Sequence, residues 1–278
     1  MNNRYDSINR QLILAEEAFT KTSSYDKGKA LRCGVDLGTA SIIIVVLDDA
    51  GMPVACEIEP CQVARDGLVV DYIGAIEITR RVAQKLEKRL GQPIKNTAIA
   101  IPPGTNHRDS GTHRHIVEAA GMEVTAVLDE PTAANAVLRI NNGIVVDIGG
   151  GTTGLAVLNN GKVVYVADEA TGGIHMTLLL MRRYKMTYEQ AEEFKQNPEN
   201  HAEVFSAVLP VIEKMAGIVQ SHTKKYSADE IWLVGGTCCL AGIENVFTSV
   251  LGIETKKPSQ PMMVTPFGIA LSCKPALY

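Results

Sequence analysis

An α/β fold built from two related halves is what this 278-residue chain predicts, and three observations carry the prediction. An apolar strand ending in Asp36-Leu37-Gly38-Thr39 runs into a second apolar strand, and the same arrangement returns at Asp147-Ile148-Gly149-Gly150-Gly151-Thr152. The flanks repeat too. Leu31 to Glu57 passes through Asp48-Asp49-Ala50-Gly51, and Asn142 to Asp168 passes through Asn159-Asn160-Gly161; both read as hairpin turns. Between and after the copies, short apolar strands alternate with helical patterns, which makes α/β layers.

The elements follow in order. Ile8, Leu12, Ala15 and Phe19 share one face of an amphipathic N-terminal helix, and the polar stretch from Thr20 to Lys29 is linker-like. After the first hairpin, Ile78, Val82, Leu86 and Leu90 recur every four residues, with Arg80, Arg81, Lys85, Lys88 and Arg89 largely opposite. That is a helix over 77–90 with a solvated basic face. Thr97 to Ile101 is a strand stopped by Pro102-Pro103-Gly104, and Arg108 to Ala120 a helix closed by Gly121. Val124 to Leu128 is a further strand, after which Glu130-Pro131-Thr132-Ala133-Ala134 opens a helix with proline in its first turn. Its alanines permit close backbone packing, as at a domain joint, or express ordinary helix propensity.

The second half repeats the hairpin and then departs. Thr187-Tyr188-Glu189-Gln190 has capping-box spacing and starts a helix through Glu192, Glu193 and Lys195. Val204, Val208, Val211, Met215 and Val219 continue helical spacing, with Pro210 expected to begin a new segment. These helices form a small insertion over about 185–226. Ile231 to Val234 is a buried strand entering Gly235-Gly236-Thr237, a junction of the type that accommodates a nucleotide near a helix start.

The repeated motif has a chemical meaning. A tight turn whose amides face an anion needs residues without a bulky Cβ, so glycine lets the main chain approach phosphate oxygens. An Asp beside that site would repel phosphate unless a cation intervened. Mg2+ is commonly held by one or two carboxylates, waters and phosphate, which makes Asp36 and Asp147 the expected partners of its hydration shell. Each Asp could instead cap a turn that its Gly merely shapes; two copies in matched contexts favour the phosphate reading.

Composition narrows the classes. A net charge of -4 and 46% hydrophobic residues suit a two-domain soluble protein and argue against nucleic acid as a partner. No run approaches the length of a membrane span and the polar N-terminus lacks a signal-peptide core, so the expected setting is cytoplasmic. Cys33, Cys56, Cys61, Cys238, Cys239 and Cys273 contain no C-x2-C pair and read as reduced core thiols. His107, His113 and His115 invite a zinc reading, but two residues apart on a helix places side chains on different faces, so a solvated basic helix is expected.

Together these motifs resemble the actin-like ATPase superfamily, over about residues 31–278. Asp36-Leu37-Gly38-Thr39 is similar to its first phosphate motif, Asp129 to Ala134 to its first connecting segment and Asp147 to Thr153 to its second phosphate motif. Val234-Gly235-Gly236-Thr237 resembles the adenosine motif and Pro266-Phe267-Gly268-Ile269-Ala270 the second connecting segment. The resemblance implies two actin-like (ribonuclease H-like) domains flanking a nucleotide cleft: residues 30–140 completed by about 264–278, and residues 141–263, with 1–29 as a leading helix and linker. It implies ATP and Mg2+ as cofactors, with Gly38, Thr39, Gly149, Gly150, Gly151, Thr152, Thr153, Gly235, Gly236 and Thr237 around the nucleotide. Gln190 to Lys195 is similar to the adenosine-contacting helix, which places Glu192 and Lys195 near ribose and base.

Within that superfamily, Arg65-Asp66-Gly67-Leu68-Val69-Val70-Asp71, Pro102-Pro103-Gly104-Thr105 and Asp168-Glu169-Ala170-Thr171-Gly172-Gly173 most resemble the EutJ family. Its members are encoded with ethanolamine-utilisation microcompartments and described as chaperone-like. The resemblance implies microcompartment enzymes or shell proteins as partners. The N-terminal helix and linker are likewise similar to encapsulation peptides that bring cargo to shells, the alternative being a helix packed on its own domain or frayed.

The departures bear on catalysis. DnaK-type chaperones carry an Asp, and MreB-type proteins a Glu, two residues after the threonine of the second phosphate motif; here that position is Gly154. The chaperones' phosphate-contacting lysine has no secure match between Cys61 and Ile76, and the family's Gly-Gly-x-x-x-Asp pattern ends in Thr177. Asp109, Thr152 and Glu130 remain as catalytic candidates, Asp109 near the position of the MreB-type glutamate and Thr152 beside the terminal phosphate. Mg-ATP binding with slow or absent hydrolysis is therefore expected. An actin-like scaffold or filament and a small-molecule kinase are the alternatives.

Overall fold

In the computed structural model, residues 2–65, 68–104 and 107–274 are described, with the backbone alone for residues 2, 3 and 107–110. Two five-stranded sheets of identical topology dominate the architecture. The first contains β1 (Arg32–Leu37), β2 (Ser41–Leu47), β3 (Pro53–Pro60), β6 (Asn96–Ile101) and β7 (Glu123–Asp129); a small β4 (Ala64–Arg65) and β5 (Leu68–Val69) hairpin stands apart. The second contains β8 (Gly143–Ile148), β9 (Thr153–Asn159), β10 (Lys162–Glu169), β11 (Glu230–Val234) and β12 (Thr255–Lys256). In each, three antiparallel strands form a meander and two parallel strands extend it on the other side, in the orders β3-β2-β1-β6-β7 and β10-β9-β8-β11-β12. The repeat in the sequence is thus a repeat in space.

The inner strands are apolar on both sides because helices cover both faces. Ile42 to Leu47 of β2 is buried throughout, as is β8 from Gly143 to Ile148. Outside the first sheet lie α2 (Tyr72–Leu90) and α3 (His107–Ala119), which contribute Val82, Leu86, Leu90, Ile116 and Val117 to its core. Outside the second lie α5 (Gly173–Tyr184), α6 (Tyr188–Gln196), α7 (His201–Thr223) and α8 (Ile243–Leu251). Between the sheets sit α4 (Glu130–Leu138) and α9 (Val264–Ser272), in a core shared with Ile43, Val45, Val145 and Trp232. Gly268 is the point of closest approach: a Cβ there would fall on the carbonyl oxygen of Ala133. The alanines of α4 are therefore packing residues.

The expected turns form as their residues dictate. Gly51, Asn160 and Gly161 take positive φ at the two hairpin tips, and the capping box at Thr187 is made by reciprocal bonds with Gln190. Pro210 breaks the expectation. Instead of starting a segment it lies inside α7, where burial of Val204, Val208, Ile212, Met215 and Val219 outweighs a proline cost of about 3 kcal/mol. All six cysteines are free, but Cys239 is exposed rather than a core thiol. His113 departs from the expected solvated helix as well, since it is buried while His115 faces solvent.

The N-terminal helix α1 (Asn2–Glu17) is docked on the chain's own core. Ile8, Leu12 and Ala15 are buried in the layer between the sheets, Tyr5 lies 5.7 Å from Trp232, and Arg4 pairs with Glu230 at 2.5 Å. The chain beyond α1 is pinned as well: Arg89 donates to the carbonyls of Ala18 and Phe19 and to Thr22 Oγ1, and Tyr25 donates to the carbonyl of Leu90. Of the two readings of this helix, its apolar face fits packing on its own domain.

Two substitutions separate close packing from open space. Gly268→Ala overpacks the α4–α9 contact and is expected to cost about 3 kcal/mol in urea unfolding, whereas Gly217→Ala in α7, where an added Cβ meets nothing, should gain about 0.5–1 kcal/mol. Truncating Leu12 to Ala should cost about 2–5 kcal/mol if α1 belongs to the folded core; an unchanged midpoint would show that it does not.

Candidate functional site

The turn 38–40 joins β1 to β2 and the turn 149–152 joins β8 to β9; the two face each other. A Cβ added at Gly150 would stand 3.0 Å from the Cβ of Ala40. Asp36 and Asp147 occupy the same place in the two copies, one residue before the strand end, opposite Ile43 and Gly154 in their hairpins. The second turn is held from behind. Gly173 and Ile174, at the start of α5, donate backbone N–H to the carbonyls of Gly149 and Gly150 at 3.0 and 2.8 Å, and Thr237 Oγ1 donates to Gly149 at 2.8 Å.

A cavity of about 620 Å³ opens between these parts, within the range that holds cofactors and other small ligands. Asp36, Gly38 and Thr39 line it from the first hairpin, and Asp147, Gly149, Gly150, Gly151 and Thr152 from the second. Glu130 enters from the first residue of α4, Glu192 and Lys195 from α6, and Gly235, Gly236 and Thr237 from the end of β11. Thr153 does not line it. Its hydroxyl is fully buried and donates to the carbonyl of Thr171 at 2.5 Å. Asp109 belongs to α3, but its side chain lies outside the described residues.

Negative charge collects on the cavity floor. Burial, and then the charge of Asp147, pushes the Asp36 carboxyl up to about 7. Glu130 rises well above the usual carboxylate range, through burial first and then the charges of Asp147, Asp36 and Asp168. Burial also raises Asp147, although Thr265 Oγ1 donates to its Oδ2 at 2.6 Å and works the other way. Gly235 has φ 92°, and any side chain there would collide with Asp147 Oδ1, so glycine lets the two motifs touch.

These residues fit a nucleotide with a divalent cation. Crowded carboxylates beside glycine-rich turns need a positive charge between them and any phosphate. Among the described residues no three His, Cys, Asp or Glu side chains converge as a self-sufficient metal cage; Asp36 and Asp147 are the carboxylates that could share a Mg2+ ion with phosphate and water. The far end differs. Lys195 Nζ donates to Glu192 Oε1 at 2.6 Å, Thr177 Oγ1 at 2.7 Å and the Gly173 carbonyl at 3.3 Å, and burial pulls its ammonium below the usual lysine value. Lys195 and Glu192 thus form a braced wall, with Thr177 completing the network.

Sequence reasoning missed several lining residues. Thr265 stands one residue before the connecting segment already singled out, so its position beside Asp147 was within reach of that motif. Lys257 and Gln260 also line the cavity, and no local pattern marks them, because tertiary packing alone brings their segments here; His113, expected on a solvated helix, lines it too.

Comparison with known proteins follows the same lines. The family profile described as type IV pilus assembly protein PilM matches residues 112–267. Ethanolamine utilization protein EutJ of Escherichia coli (strain K12) is 42% identical over 240 residues, covering 86% of this chain and 84% of that protein. The crystal structure of ethanolamine utilization protein EutJ from Carboxydothermus hydrogenoformans superimposes with a TM-score of 0.92 at 44% identity, over 96% of this chain and 99% of that one. The structure of MreB 5 of Spiroplasma citri bound to AMPPNP shares the fold alone, with a TM-score of 0.69 at 16% identity over 87% of this chain and 95% of that one. The duplicated sheets, the paired turns and these likenesses agree: the chain belongs to the EutJ family, with the actin-like ATPase fold.

Proposed function

We propose that the chain is an ATP-binding, chaperone-like protein of ethanolamine utilisation, in which Mg-ATP draws two domains together and is hydrolysed slowly or not at all. One observation carries the reading: two hairpin turns, one with Gly38 and the other with Gly149, Gly150 and Gly151, each following an Asp at the same place in its sheet, face each other across a cavity of about 620 Å³ floored by Asp36, Glu130 and Asp147. Residues 30–140 with 264–278 form one closing unit and residues 141–263 the other. A phosphate chain gripped by one turn from each unit makes more contacts when they are closed, so binding shifts the equilibrium toward closure. The hinge elements are α4 and α9.

Each residue has a task under this reading. The turns at Gly38-Thr39 and Gly149 to Thr152 hold the phosphates, Asp36 and Asp147 accept hydrogen bonds from the cation's water shell, and Gly235 to Thr237 with the Glu192–Lys195 wall enclose the adenosine. Bound Mg2+ supplies the charge that offsets phosphate against the acids. Slow turnover follows from Gly154 and Thr177, which stand where related ATPases carry acids, since phosphoryl transfer depends on positioned charge and water. The names of the EutJ relatives support a role in ethanolamine utilisation, and under this reading the clients are enzymes or shell proteins of microcompartments, in the cytoplasm. Among the described residues no helix is long and apolar enough to cross a membrane.

Titration calorimetry is expected to show Mg-ATP binding with one site per chain, and Gly150→Val, whose side chain would wedge between the turns, should weaken it at least about tenfold, or about 1.4 kcal/mol, in a protein that still folds. Absence of any ATP binding by the natural chain would overturn the reading. Phosphate release should run well below the ~1 s⁻¹ at which kinases begin.

A pH dependence follows from the floor. An acid whose folded pKa is raised holds its proton more tightly folded than unfolded; it stabilises the fold below its ordinary 3.8, and that stability is lost as pH rises through about 7. The nucleotide-free chain should therefore melt at lower temperature at pH 8 than at pH 5, and Asp36→Asn should flatten the slope. A slope that Asp36→Asn leaves unchanged would assign the effect to other groups.

A further inference from the structure

The meander β8, β9, β10 sets three residues in one row across its sheet. Asp147 is in register with Gly154, and Gly154 with Asp168. Residues directly opposite in antiparallel strands carry their side chains to the same face. The carboxylates of Asp147 and Asp168 therefore rise from one face, on either side of a position that has no side chain. Asp168 also leans across it: a Cβ at Gly154 would stand 3.5 Å from Asp168 Oδ1 and 3.4 Å from Cγ and Cδ of Pro103. Asp168 Oδ1 is closed off from bulk water, and its carboxylate is one of the charges acting on Glu130, so it belongs to the same field as the cavity floor.

We infer that Asp168 supplies, from the neighbouring strand, the negative charge that position 154 lacks, acting from behind the cavity floor in support of the divalent cation that Asp36 and Asp147 would hold. It is a positioning residue, and the inference rests on the nucleotide reading above. The row explains why one acid moves rather than two being present. Opposite residues stand about 5 Å apart, and like charges there destabilise a sheet. An acid at 154 added to Asp147 and Asp168 would put three carboxylates side by side, whereas glycine at 154 leaves Asp168 room to reach inward. Outer-shell carboxylates that do not touch the ion still raise its affinity, by orienting and charging the residues that do.

The test is the gain in ATP affinity on adding Mg2+, measured by calorimetry with ATP in Mg2+ and with ATP in EDTA. Loss of an outer-shell partner typically costs about 10–100-fold in metal affinity, so Asp168→Asn should reduce the Mg2+ gain about tenfold while leaving the EDTA affinity unchanged or stronger. Returning the acid to the middle strand in the double variant Gly154→Asp, Asp168→Ser should restore the gain, a rescue that a purely structural role for Asp168 would not produce. A full Mg2+ gain in Asp168→Asn overturns the inference. If that variant fails to fold, the double variant decides alone: restored gain supports the transfer of the acid between strands, and a folded protein without the gain overturns it. A natural chain that binds no ATP in either condition overturns the nucleotide reading and this inference together, so the two failures are told apart.

Discussion

The contact of Gly268 with the carbonyl of Ala133 holds the rest of the molecule in place, because it sets how closely α4 and α9 pass and so how near the two sheets lie. A sheet buried on both faces must be covered on both, and here one helical layer serves both inner faces at once. With that layer thin, the strands carrying Asp36 and Asp147 near their ends deliver their turns to the same place. Thicken it by one methyl group and the turns move apart. This close backbone approach thus lies behind the cavity, among apolar residues, while its effect appears at the cavity floor. Small residues in Glu130 to Ala134 and in Pro266 to Ala270 answer to this one requirement.

The same geometry concentrates charge. Asp36 and Asp147 stand near the ends of equivalent strands of equivalent sheets, Glu130 heads the helix that joins one sheet to the other, and Thr265 closes the ring from the start of α9. Acids placed so close are stable together only by taking up protons or by sharing a cation. Under the Mg-ATP proposal, a floor that is protonated when empty and shares a cation when filled would have two states of different charge, linking occupation of the cleft to the relation between its walls through one set of groups. The braced Lys195–Glu192 pair is different in kind. Its charges cancel locally, so that wall keeps its shape whichever state the floor adopts.

Where the fold was legible in the sequence, it was because a local rule and a tertiary demand agreed. The Asp-x-Gly turns, the Asn160-Gly161 tip and the Thr187 capping box each need particular residues for local reasons, and each stands where expected. Pro210 misleads because its local rule is outweighed by the buried apolar face of α7, Val204, Val208, Ile212, Met215 and Val219 among it. His113 misleads in the opposite way: its neighbours are polar, and only the packing of α3 on the first sheet buries it. For the site, both hairpin turns and the Gly235 junction could be read directly, since glycine betrays a close approach. Lys257 and Gln260 could not, because they reach the cavity from segments with no pattern of their own.

Gly154 shows a further limit of reading along the chain. Position by position, an acid is missing there, and the cleft looks poorer in charge than those it resembles. Across the sheet, the count changes, because β10 returns antiparallel to β9 and brings Asp168 beside the vacant position, fourteen residues later in sequence but in direct register. A carboxylate serves a cleft through where its oxygens stand, and two adjacent strands of a meander can place oxygens in nearly the same volume. Motif comparison follows the strand, whereas electrostatics follows the face. In a meander those two directions are perpendicular, so a charge missing along one can be supplied along the other, while the positioning of water that turnover needs is not.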